Sequence, residues 1–290
     1  MDELVWEREW PPRRSIVVLA FAGYFDAASA ATGAVDHLVE TTAATPLARI
    51  DGERFLDRQQ VRPEVVLEDG VTRRITWPEN IVHANDETQV GRELVLLSGI
   101  EPHYDWRHFT DVMLELVSET AAEVVITLGA TPAATPHTRM PLVHASSSNS
   151  ALAQRFGLQP PSYQGITGIV GVLHAAFDAR AVPAISAQVG VPHYASGAPN
   201  AKASMALLRY LEHVTGIPTD HAALAERVTE WEQMVEEAVA DNPDARRYVT
   251  QLEQQHEQRT DEQIPSSDDL AAELERYLRD HGQEPPAGAE

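Results

Sequence analysis

Residues Ser15-Ile16-Val17-Val18-Leu19-Ala20-Phe21 form an almost unbroken apolar run, the pattern of a strand covered on both faces. The run breaks at Gly23, and Asp26 stands where it can cap an Ala-rich helix over 27–40. Similar runs return at 94–97, ending at Ser98-Gly99, at 124–128, ending at Gly129, and at 183–189. Between them, apolar residues at 109, 112, 113, 116 and 117 predict a helix over 106–119. The segment 167–179 reads as a largely buried helix, and apolar positions 205, 207, 208 and 211 predict one over 201–213. Strands alternating with helices predict a mostly parallel sheet between two helical layers, a three-layer α/β/α fold. Segments 65–67 and 71–77 flank Asp69-Gly70, a type I′ hairpin signal that adds an antiparallel part.

After Pro218 the strand signal stops. Segments 221–240, 243–259 and 266–281 read as three helices, with Ser266-Ser267-Asp268 as capping residues for the last. Each carries one narrow apolar stripe: Leu224, Val228, Trp231, Val235 and Val239; then Tyr248 and Leu252; then Leu270, Leu274 and Leu278. From Thr219 to Glu290 there are 19 acidic and 6 basic residues, a net of −13, against −9 for the first 218. The helix-ending pair Gly216 and Pro218 coincides with this shift. The expected organisation is an α/β/α domain over 1–218, an acidic helical extension over 219–282 and a disordered tail over 283–290.

Composition narrows the function classes. The 290 residues include 44 acidic and 22 basic ones, a net charge of −22, with a pI near 4.8. Binding to nucleic acid or to an anionic membrane is not expected, because phosphate needs clustered Lys and Arg. Mean hydropathy is −0.28 and no apolar run nears the ~20 residues of a membrane span. The start, Met1-Asp2-Glu3-Leu4, lacks the apolar stretch of a signal peptide. The absence of cysteine excludes disulfides, thiol catalysis and cysteine-ligated metals, and suits a cytoplasmic location.

Candidate chemistry gathers just past the predicted strands, where parallel α/β sheets hold their ligands. Gly23, Tyr24 and Asp26 form either an anion loop or a tight turn with an Asp cap, and Asp26 itself would repel a phosphate. Ser98, Gly99, Glu101 and His103, with Gly129 and Thr131, would meet Gly23 on one rim, as an acid–base site or as a polar loop. Arg139 lies between His137 and His144, ahead of Ser146-Ser147-Ser148-Asn149 at a helix start, which reads as an anion site or as ordinary capping. His193, Tyr194, Asn200 and Lys202 form the best-defined polar cluster, and Lys202 is the only lysine in the chain. These residues suit an anion pocket or an oligomer interface equally. No metal-ligand spacing, dinucleotide fingerprint, phosphate loop or Gly-x-Ser-x-Gly elbow is present, so neither cofactor nor metal is expected.

Two segments are more specific than an α/β pattern requires: 21–31, Phe-Ala-Gly-Tyr-Phe-Asp-Ala-Ala-Ser-Ala-Ala, and Val191-Pro192-His193-Tyr194 followed by Ala198-Pro199-Asn200-Ala201-Lys202-Ala203. Together with Leu97 to Pro102, Leu128-Gly129-Ala130, Gly165 to Gly168 and Val182-Pro183-Ala184, they resemble the proteasome assembly chaperone family, in particular relatives of its second chaperone. The resemblance covers about residues 1–218, and the acidic extension is similar to that of longer bacterial members. It implies a fold like that of nucleoside phosphorylases. It also implies homo-oligomers, a trimer being the expectation, and non-catalytic work through contacts with proteasome subunits or another protein. Family members can end in a hydrophobic–Tyr–X motif that docks on proteasome rings; Ala287-Gly288-Ala289-Glu290 does not fit it. The alternative is a small-ligand-binding protein or enzyme on the same scaffold. A further reading makes the helical extension a clamp between subunits.

Overall fold

The computed structural model describes residues 3–10, 14–85 and 92–263. Ten strands occur among them: β1 (Leu4–Trp6), β2 (Ser15–Ala22), β3 (Thr45–Ile50), β4 (Glu64–Glu68), β5 (Thr72–Thr76), β6 (Asn80–Asn85), β7 (Glu93–Ile100), β8 (Ala122–Ala133), β9 (Val143–Ser146) and β10 (Ala184–Pro192). The α-helices are α1 (Ala30–Thr41), α2 (Gly52–Phe55), α3 (Trp106–Glu119), α4 (Ser150–Phe156), α5 (Ile169–Ala179), α6 (Ala201–Thr215), α7 (Ala225–Ala240) and α8 (Pro243–Gln263). The predicted third acidic helix and the tail lie outside the described residues.

Eight strands form one mixed sheet in the order β1-β3-β6-β7-β2-β8-β10-β9. Its centre, β7-β2-β8-β10, is parallel; β6 and β9 run antiparallel to their parallel neighbours, and β1 runs antiparallel to β3. The continuous apolar run of β2 has the expected cause. Ile16, Val18 and Ala20 point into a core with α1 and α6, while Val17, Leu19 and Phe21 point into a second core with α3 and α5. The result is the α/β/α layering that the alternation predicts.

Three differences follow from local chemistry. The Asp69-Gly70 hairpin forms, with φ of 53° and 74° at its two turn residues, but β4 and β5 make a separate two-stranded sheet. The antiparallel part of the main sheet comes instead from β1, β3, β6 and β9, which are short or half-exposed and so lack a continuous apolar run. Strands β7 and β8 continue past Gly99 and Gly129, because glycine interrupts side chains and not the hydrogen-bonded ladder. Gly129 therefore lies inside β8. A Cβ there would sit 1.8 Å from Phe25 Cε1, so the glycine makes room for that ring.

The described part of the acidic extension packs on the main body. Leu224 and Val228 belong to the same apolar cluster as Leu211 and Ile217 of the α6 end, and Trp231, Val235 and Val239 continue the buried stripe along α7. Among the described residues no helix is long and apolar enough to cross a membrane.

Two stability effects follow. Gly129→Ala, which forces the Phe25 ring to move, lowers stability by about 1–3 kcal/mol in denaturant unfolding. The imidazole of His174 is bonded to Thr127 Oγ1 at 2.8 Å and stacks edge-on to Phe177; burial lowers its pKa to about 4. The unfolded state then takes up this proton first as pH falls. The stabilisation is complete above pH 6.5 and is lost towards pH 4, by up to about 3 kcal/mol. Comparing the pH dependence of unfolding in wild type and His174→Gln isolates that loss, which the variant lacks.

Candidate functional site

Strands β2, β8 and β10 run the same way, so their carboxyl ends form one rim that carries Tyr24, the end of β8 and His193. On its β2 side the rim is organised by Glu101. The Tyr24 N–H donates to Glu101 Oε2 at 2.8 Å, and the Ile169 N–H at the start of α5 donates to Oε1 at 2.7 Å. Two glycines permit this approach. A Cβ on Gly23 would lie 2.4 Å from Oε2, and one on Gly168 would lie 2.6 Å from Oε1. Both oxygens of Glu101 are thus engaged by the backbone, which is what a carboxylate does best at a helix amino terminus. His103 is held separately, its Nδ1 accepting from the Asp57 N–H at 3.2 Å. Glu101 and His103 do not form an acid–base pair.

Asp26 caps α1 from beyond a short 3₁₀ turn, Ala27–Ser29. Its Oδ1 accepts from the N–H groups of Ala31 and Thr32, and its Oδ2 accepts the Thr32 hydroxyl. Ala28 and Ser29 take left-handed backbone, φ 54° and 48°, an unfavourable choice for residues with a Cβ. The Asn200 N–H, donating to the Ala28 carbonyl at 2.9 Å, and Ser204 Oγ, donating to the Ala30 carbonyl, fix that turn against α6. Asn200 also caps α6, its Oδ1 accepting from the Ala203 N–H. Ser98 bonds to Asp36 of α1, whose carboxyl is pushed up by burial and drawn back by that bond. Gly99 packs against Asn80, which accepts from the Ile100 N–H and donates to its carbonyl. Thr131 pairs with Gly190 inside the sheet. Ser147, Ser148 and Asn149 bond to the Ala184 carbonyl, to Asp178 and to the Leu152 N–H, as capping and loop residues do.

The β10 side of the rim holds the cations, and the acidic helices cover them. Lys202 is only 4% exposed. Its Nζ donates to the His137 carbonyl at 2.6 Å and to Glu232 of α7 at 2.5 Å. The Tyr194 hydroxyl accepts from the His137 N–H and lies 2.9 Å from His137 Nδ1. His137 Nε2 lies 3.1 Å from Glu236. The tautomer that satisfies every partner has Tyr194 donating to Nδ1 and Nε2–H donating to Glu236. Burial raises the Tyr194 hydroxyl above its ordinary pKa. Arg139 reaches Glu253 at 3.4 Å and Glu257 at 2.8 Å on α8, and the Thr138 hydroxyl donates to Glu253. Tyr248 of α8 stacks edge-on to His193 and Tyr194, and His193 Nδ1 lies 3.1 Å from the Ala133 carbonyl. The gap bounded by His137, Arg139, Pro141, Asn200, Lys202 and Trp231 has no room for a water-sized sphere.

The structure brings together His193, Tyr194, Asn200, Lys202 and Arg139 along one edge. It sets Gly23, Tyr24 and Glu101 beside α5. Asp26 and Asn200 are joined only through the 3₁₀ turn. Sequence reasoning missed the carboxylates that complete the edge, Glu232, Glu236, Glu253 and Glu257, along with Trp231 and Tyr248. A signal was present: one lysine in the chain, and an acidic surplus concentrated in the extension. Among the described residues no group of three or more His, Asp or Glu is placed to hold a metal.

A layered α/β/α body with a strand-end rim closed by its own acidic helices defines the class of protein. The chain belongs to the PAC2 family, whose model matches residues 20–239. It is similar to the PAC2 family protein of Streptomyces avermitilis, at 38% identity over 81% of this chain and 99% of that one, with a TM-score of 0.75. It is equally similar to a proteasome-assembly chaperone homologue of Mycobacterium tuberculosis, at 38% identity over 81% and 99% of the two chains, TM-score 0.73. A proteasome activator of Pyrococcus furiosus shares the fold at 18% identity, over 82% of this chain and 99% of that one, TM-score 0.63. No curated protein matches the chain.

The buried ammonium yields a direct test. Lys202→Met leaves the His137 carbonyl without its donor and Glu232 without its partner. Because Glu232 is half-exposed and returns partly to water, the loss in denaturant unfolding is about 1–3 kcal/mol. A change below about 0.5 kcal/mol, the size of an ordinary surface substitution, contradicts the assigned contacts.

Proposed function

We propose that the chain is a non-catalytic, self-associating, protein-binding member of the PAC2 family that works in the cytoplasm, in assembly of a proteasome or a related complex. The observation that carries this reading is Lys202. The residue best suited to hold a ligand anion already has Glu232 and a backbone carbonyl as partners. Arg139 is likewise engaged by Glu253 and Glu257. A rim whose cations are neutralised from within offers little to a phosphate or nucleotide.

Protein binding is supported from the other direction. Tyr24, Tyr163 and Ile166 are exposed, and the whole segment 159–167 lies in solvent ahead of the Glu101-bound start of α5. Exposed aromatic and aliphatic residues on loops suit protein contacts. The relatives named as a proteasome-assembly chaperone homologue and a proteasome activator supply the kind of partner. In this reading residues 1–218 are the α/β/α unit and 219–282 the extension, whose described helices α7 and α8 lie over its rim.

Two measurements test it. A thermal-shift screen of inorganic phosphate, nucleosides and nucleotides is expected to leave the melting temperature unchanged. Stabilisation of several degrees that disappears in Lys202→Ala overturns the reading in favour of a ligand site. Mixing the chain with purified proteasome core subunits from the same cell is expected to give a complex on a sizing column, and unchanged elution of both removes the proteasome as partner.

A further inference from the structure

We propose that helix α8 is a detachable strap, and that the Arg139–His193–Tyr194 surface beneath it is where the protein receives an amphipathic helix of its partner. The proposal rests on the protein-binding reading and names the surface and the kind of partner.

The two acidic helices are held very differently. Helix α7 buries Val228, Trp231, Val235 and Val239 along its length, and its Glu232 reaches the buried Lys202. Of the described side chains of α8, Val249 and Leu252 are buried, and Tyr248 is 37% exposed. Its outward residues Arg246, Arg247, Thr250, Gln251 and Gln254 lie in solvent. The ion pairs that hold it to the body are half-exposed: the Arg139 side chain is 41% exposed and that of Glu257 59%. Pairs in that setting contribute little each and are screened by salt. The helix also brings its own start, since Asn242 Oδ1 accepts from the Asp244 and Ala245 N–H groups. Joined to α7 through Asp241 and Asn242, and capped from within its own segment, α8 can leave the body without opening α7.

What α8 covers is built to receive a helix. The rings of His193 and Tyr194 meet Tyr248 edge-on, with centroids 5.6 and 6.3 Å away. Beside them Arg139 reaches Glu253 and Glu257, which stand one helical turn apart, and the Thr138 hydroxyl donates to Glu253. The surface keeps its shape without α8. Tyr194 is tied to His137 by two hydrogen bonds, and His193 Nδ1 lies 3.1 Å from the Ala133 carbonyl. Departure of α8 therefore leaves an aromatic pair beside a guanidinium without a carboxylate, in a chain of net charge −22. Lys202 stays with Glu232 beneath α7, so the opened surface offers one guanidinium and not a cationic cluster. Charge complementarity selects the occupant. It is a partner helix with an aromatic and an aliphatic residue on one face, followed by two carboxylates a turn apart. Helix α8 shows that pattern itself in Tyr248, Val249, Leu252, Glu253 and Glu257, and so acts as an internal stand-in. A tethered α8 competes at an effective concentration of roughly millimolar, which keeps the surface closed to weak binders.

Amide hydrogen exchange of the full chain reads the strap. Protection over Tyr248–Glu253 is expected to be at least about tenfold below that over Val228–Glu236, and lower still in high salt. Equal protection in the two helices overturns the strap. The receiving surface is probed with a fluorescent peptide of residues 243–258, the chain's own α8. In the full chain, Glu253→Gln with Glu257→Gln weakens the internal helix, and fluorescence anisotropy then shows the peptide binding at least about tenfold more tightly than to wild type. Arg139→Glu added to that pair abolishes the binding. The same two Glu→Gln changes in the peptide abolish it too, whereas Gln251→Ala, on the outward side, leaves it unchanged. Equal binding by wild type and the double variant, or binding that survives Arg139→Glu, overturns the receiving surface. Failure of the peptide while a complex with the proteasome core still forms leaves protein binding standing without this surface. Peptide binding with no such complex keeps the surface and removes the proteasome as partner.

Discussion

A buried ammonium needs a carboxylate, and in this protein the carboxylate comes from the carboxyl-terminal helices. Lys202 sits in the first turn of α6, packed against the body, and water does not reach it. Leaving a charge unpaired there would cost several kcal/mol. Glu232 meets it from α7, and the His137 carbonyl accepts a second hydrogen bond from it. That requirement fixes where α7 lies. Its apolar stripe then continues the α1–α6 core, and α8 follows, placing Glu253 and Glu257 on Arg139 and Tyr248 on the His193–Tyr194 pair.

The rest of the rim follows the same economy. The carboxylates and the amide that a strand-end site would use for a ligand are turned to backbone groups. Glu101 binds the start of α5, Asp26 the start of α1, and Asn200 the start of α6. Gly23 and Gly168 are needed because the Glu101 carboxylate leaves no room for a Cβ, and Gly129 because Phe25 leaves none. Segment 159–167 and the β4–β5 hairpin stand exposed.

Much of this was legible in the sequence where one physical term dominated. Strand β2 is buried on both faces, so its apolar run is continuous, and helix α3 was bounded at 106 and 119 because its apolar spacing is regular. Strands β1, β3, β6 and β9 were not legible: they are short or half-exposed, and their stability comes from pairing rather than from composition. The polar cluster at His193, Tyr194, Asn200 and Lys202, with Arg139 beside it, was visible as residues, but the carboxylates that meet Lys202 and Arg139 lie 30 to 118 positions away. Acidic residues spread along solvated helices give no sign of which four face inward. Only the fold brings them to the edge.

The account stands on α7 being part of the body and not an appendage. Amide hydrogen exchange along Val228–Glu236 measures this directly, since a docked helix opens only with the core it is packed on. Exchange of these amides at the same free energy as those of β2 and β8 is the result the account predicts. Exchange within seconds, as for a detached helix, with β2 and β8 still protected, contradicts it.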